Sequence, residues 1–159
     1  MQTGLAIANR STAAALVKVE LFRLDGLSTG LTATLTLSAN GQMAKFLNEI
    51  PGLESLVSRF QGVVRVSSPT PLSVTALRGQ TNERNDFLIT TMPSVDEGAS
   101  PTDAELIFPH FVQGGGYITK FVLFSGAEAQ QSSGAVRFLS QSGEPLNLAL
   151  LSGTNNPVW

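Results

Sequence analysis

A chain of 159 residues with a formal net charge of -2 is long enough for one domain that buries roughly 70% of its unfolded surface. Near neutrality leaves no basic footprint for nucleic acid or anionic lipid, and the absence of cysteine excludes disulfides, thiol catalysis and thiolate metal sites. Charged residues make up 14% of the chain against about 25% in soluble proteins, a surface that calls for a partner, a second copy or a coat of sugar to stay soluble.

In chain order, the opening TGLAIAN reads as a strand with Thr3, Leu5 and Ile7 on one face. Asn9-Arg10-Ser11 follows as an N-x-S sequon in a turn, which makes Asn9 a candidate glycosylation site in an exported protein. Residues 31–37 alternate apolar side chains with Thr, the period-2 pattern of a half-buried strand. Asp25-Gly26 and Asn40-Gly41 supply turn chemistry on either side. After Pro51, a residue suited to a first helical position, Leu53, Leu56, Val57 and Phe60 fall at i, i+3, i+4 and i+7. That spacing predicts one short helix capping an open end of the fold. Residues 61–67 and 72–77 read as strands with Val64, Val66, Val74 and Ala76 inward, and Pro69 and Pro71 mark the turn between them. Residues 85–92 form a further strand, closed by Pro93.

Residues 94–104 have linker composition, acidic and small with Gly and Pro. Strand patterns resume from residue 105. There Thr119, Phe121 and Leu123 match Thr3, Leu5 and Ile7, and Val136, Phe138, Ser142 and Gly143 match Val19, Leu21, Asp25 and Gly26. The chain therefore divides into a β-sandwich unit at 1–93, a linker at 94–104, and a partial repeat at 105–159.

The sequence offers little chemistry. Its single histidine, His110, has no G-x-S-x-G serine and no recognisable acid to work with, and one imidazole makes no multi-histidine metal site. Glu49 with Glu54 and Glu83 with Asp86 are acid pairs of the kind that twelve scattered carboxylates produce without catalysis. Asp96, Glu97, Asp103 and Glu105 offer oxygen ligands but lack the spacing of a calcium loop. Gly114, Gly115 and Gly116 precede a strand, so they cradle no phosphate. No apolar run reaches a membrane span, and no basic segment leading into an apolar one opens the chain. Tyr117 and Trp159 are the only Tyr and Trp, and Phe22 and Phe111 beside them do not make the aromatic platform of a sugar-binding sandwich. Ser68 and Thr70 beside Pro69 and Pro71 are candidates for O-linked sugar. The expectation is a non-enzyme with no cofactor and no metal.

The phrases TGLAIAN, FQGVVRVSSPTPLSVTALR, NERNDFLITTMP and FPHFVQGGGYITKFVLF together resemble tandem β-sandwich repeats of large secreted and surface proteins of environmental bacteria. The resemblance implies an immunoglobulin-like antiparallel β-sandwich in a structural or adhesive module, extracellular or at the cell surface, and carries no catalytic residue. In that pattern the FPHFVQGGG strand leads a unit, whereas here it stands in the second one. The unit at 1–93 is thus expected to lack a strand that the same chain or a neighbouring subunit completes. A head-to-tail contact of this kind does not close and builds a fibre of identical copies. The candidate assembly strands are residues 3–9, with Thr3, Leu5 and Ile7, and residues 146–151, with Leu146, Leu148 and Leu150 on one face. The alternative expectation is a carbohydrate-binding or adhesive module with glycan partners.

Overall fold

The computed structural model describes residues 2–57, 60–99, 106–119, 121 and 134–146. The chain forms two compact units, residues 1–95 and 96–159. The first is all β in its regular structure, apart from a single 3-10 turn. β1 (Gln2–Asn9), β4 (Gln42–Phe46), β6 (Leu72–Thr81) and β7 (Phe87–Pro93) make one antiparallel sheet in the order β4-β1-β6-β7. β2 (Ala15–Arg23), β3 (Ser28–Leu37) and β5 (Gly62–Ser67) make the other, in the order β3-β2-β5.

Alternation decides which side chains meet. Ala15, Val17, Val19 and Leu21 are buried while Leu16 and Lys18 between them face out. They join Leu5 and Ile7 of β1, Ala33 and Leu37 of β3, and the partly buried Val64, Val66 and Val74 in one core between the sheets. Burying a Val or Leu of this size contributes about 1.5–3 kcal/mol. The two sheets are stitched by short crossings at residues 10–14, 38–41 and 68–71, between β1 and β2, β3 and β4, and β5 and β6.

The helix expected after Pro51 does not form. Leu47–Glu49 is a 3-10 turn, and the chain continues as linked three-residue turns, with Ile50 N donating to Leu47 O, Leu53 N to Ile50 O and Leu56 N to Leu53 O at 3.2, 2.9 and 3.0 Å. At three residues per turn Leu47, Ile50, Leu53 and Leu56 share one face, and all four join the core. Gly52, at φ 97, sits close to β3, where a Cβ would lie 2.9 Å from Thr32 O. An α-helix cannot pass through that conformation. The segment fills the place foreseen for a helical cap with a different backbone.

In the second unit, the paired strands among the described residues are β8 (Gln113–Gly114) and β9 (Tyr117–Ile118), joined through a glycine turn, together with one bridge between Leu139 and Pro145. Residues 106–112, expected to lead with a strand, form none. Phe108 packs edge-on against Phe121 and Phe111 against Phe138, with centroids 5.1 and 5.4 Å apart.

Candidate functional site: an open strand position and a repeated hairpin

In the four-stranded sheet β7 is the last strand, held by β6 alone among the described strands. Among the described residues β7 places none in the core. Its register against β6 pairs Met92 with Ala76, Thr90 with Arg78 and Leu88 with Gln80. Because Ala76 lies on the same strand face as core-packed Val74, Leu88, Thr90 and Met92 share the core-side face of the sheet. Leu88 is 48% exposed there. In the three-stranded sheet β5 pairs with β2 alone among the described strands, which makes it an edge strand. An edge strand can accept one more strand, and an apolar face left open can be covered by it.

The strand residues picked from the sequence fall in different places. Thr3, Leu5 and Ile7 belong to β1, which is held by β4 on one side and β6 on the other. Leu5 and Ile7 are core residues. A strand at the centre of its own sheet is not available for donation, which corrects their selection as assembly strands. Leu146 is exposed, and its N–H donates to Phe138 O at 2.9 Å. Leu148 and Leu150 lie outside the described residues.

Asn9 does not present its amide to solvent. It is 1% exposed; its Nδ2 donates to Ala13 O and Ser38 O at 2.8 and 2.9 Å, and its Oδ1 accepts from Ser11 N and Ser11 Oγ. The sequon serine is thereby part of the same closed network. In the folded chain Nδ2 is committed to three carbonyls, which removes the atom a sugar would need.

Three of the four paired acids have local partners. Glu49 Oε2 accepts from Phe46 N and Glu54 Oε2 from Gly52 N, while Asp86 is bound by Asn82. Asp96 accepts from Gly98 N; Asp103 and Glu105 lie outside the described residues. Among the described residues no three His, Asp or Glu side chains converge on a metal-sized site. His110 is exposed. Of the aromatic side chains, Phe22 lies under Arg65 at 4.8 Å, Phe111 is packed on Phe138, Tyr117 stands exposed, and Trp159 is outside the described residues. On the outer face of the four-stranded sheet, Phe46 and Phe87 meet edge-on at 6.1 Å above Gly4 and Gly79. Sequence reading missed this pair, since neither glycine announces that a ring lies on it.

The half repeat is visible as geometry. At the β2–β3 turn Arg23 N donates to Leu27 O and Gly26 N to Arg23 O, at 2.9 and 3.0 Å. In the second unit Ser140 N donates to Glu144 O and Gly143 N to Ser140 O, at 2.8 and 2.9 Å. Gly26 and Gly143 adopt φ 80 and φ 85. The pair Phe22–Ser28 that closes the first hairpin corresponds to the Leu139–Pro145 bridge of the second. Residues 139–145 thus repeat the β2–β3 turn and the pair that closes it, in the same register. Compared with family models, curated proteins and solved structures, the chain matches none.

Proposed function

We propose that the protein is a non-catalytic, extracellular structural subunit whose first unit is an immunoglobulin-like sandwich, and that copies assemble head to tail by strand complementation. The observation that supports this reading is the pair of sheet ends, β5 as an edge strand and β7 with its core-side Leu88 exposed. A strand seated there gains a full ladder with β5 and covers Leu88 and Met92. Low charge and only three lysines leave edges without the charged guards that keep sheets apart. The donor in this reading is the 146–151 stretch, whose Leu146, Leu148 and Leu150 alternate as a one-strand plug requires.

Negative-stain microscopy and sedimentation of the intact chain test the reading. Elongated species are expected to grow with concentration. Leu88→Lys, at an already exposed position, is expected to abolish elongation while shifting unfolding by no more than about 0.5 kcal/mol. A strictly monomeric chain at high concentration would overturn the proposal.

A further inference from the structure

The two outer faces of the first unit differ in charge. On the three-stranded sheet Lys18 and Glu20 of β2 pair at 2.7 Å, and the Arg65 guanidinium lies over the Phe22 ring at 4.8 Å. The four strands of the other sheet hold two charged residues, Lys45 and Arg78. Lys45 stands in register with core residue Leu5, and Arg78 with Thr3, two residues along β1 from Leu5. Cross-strand partners share a face, as do residues two apart in a strand, so both charges belong to the core-side face. The outer face sets Ala44, Ala6 and Thr75 side by side, with Ile89 farther along. None of its strand positions carries a charge.

This face also has relief. Phe87 and Ile89 stand 53% and 58% exposed, and Phe87 leans edge-on against Phe46. Next to them Ala6, Ala44, Ser73 and Thr75 line a shallow hollow. A two-fold contact sets a surface on its own image, where any net charge would repel itself. An uncharged face escapes that cost. A rise and a hollow on one face also let each copy seat its Phe87 and Ile89 over the other's Ala6 and Ala44. Strands of 8, 5, 10 and 7 residues, each residue covering roughly 3.3 by 4.8 Å, present about 500 Å² per copy. Two such faces together reach the roughly 1,000 Å² at which specific interfaces begin.

We propose that the outer face of the four-stranded sheet pairs with the same face of a second copy. The two sheets stack about 10 Å apart, with the two-fold axis lying between them. This contact closes at two copies, unlike strand addition at the sheet ends, so it joins chains side by side and extends no row. At this area the pairing is reversible and depends on concentration.

The test is sedimentation equilibrium of the intact chain carrying Leu88→Lys, a change on the core-side face that keeps elongation at the sheet ends out of the measurement. A reversible species of twice the chain mass is expected, whether or not the unaltered chain elongates. Adding Ile89→Lys or Ala44→Lys, both at exposed positions, is expected to weaken the pairing at least about tenfold, because each puts a charge into an uncharged contact. Leu16→Lys, at an exposed position on the outer face of the other sheet, is expected to change it by less than about twofold. A single-chain mass at every concentration, unchanged pairing in either face variant, or equal weakening by Leu16→Lys would each overturn the proposal. Elongation of the chain without Leu88→Lys is scored separately and decides the fibre reading alone.

Discussion

Val19 and Val136 hold the same place in two copies of one hairpin, yet the first is 0% exposed and the second 61%. The turns beneath them match in both hydrogen bonds and in the left-handed glycine that makes them. Local sequence is sufficient for the turn, because a glycine at positive φ and two short-range bonds fix where the chain reverses. It is not sufficient for burial, which depends on strands that arrive from far away in sequence. In the first unit β4, β6 and the 47–56 turns close over the hairpin; in the second, the described residues add aromatic contacts of Phe108 with Phe121 and Phe111 with Phe138.

The sharpest way to break this comparison is to cut the same contact in both copies. Leu21→Ala removes a fully buried side chain and is expected to cost about 2–5 kcal/mol in denaturant unfolding. Phe138→Ala, at the matching position, is expected to cost less than half as much, because Phe138 is half-buried rather than fully buried. Equal losses would mean that the second hairpin is as well packed as the first.

A smaller effect is expected at Asn9. Continuing the repeat offset places Ser125 opposite it, so Asn9→Ser writes the residue of the second unit into the first. The shorter side chain cannot reach Ala13 O and Ser38 O together, and a destabilisation of about 1–3 kcal/mol is expected by thermal melting. If the melt is unchanged, Asn9 is not what ties the β1–β2 and β3–β4 crossings.

The smallest effect tests the shared feature. Gly26→Ala and Gly143→Ala each place a Cβ at positive φ in open surroundings, for about 1 kcal/mol of local strain. Both should speed hydrogen exchange at their own turn, at Arg23 or at Ser140. Only Gly26→Ala should lower the unfolding midpoint of the first unit.

The same division explains what the sequence made legible. The strands around Val17 and Val19, Leu35 and Leu37, and Val64 and Val66 were readable because alternation is a local signal. The capping segment was readable as apolar but not as turns, since Leu53 and Leu56 fit an i, i+3 spacing in a helix and in a 3-10 series alike. Residues 3–9 looked like a free strand because alternation does not distinguish a central strand from an edge. Asn9 looked accessible because the carbonyls of Leu37 and Ser38 that bury it lie about thirty residues on.

The place of β5 and β7 at the ends of their sheets also bears on direction. Where two copies meet β5 to β5 about a two-fold axis normal to the sheet, both four-stranded sheets fall on the same side of the joined layer, and each copy's last strand is brought toward the other copy's second layer. Under the proposed assembly the contact is instead heterologous, one copy giving a strand and the other receiving it.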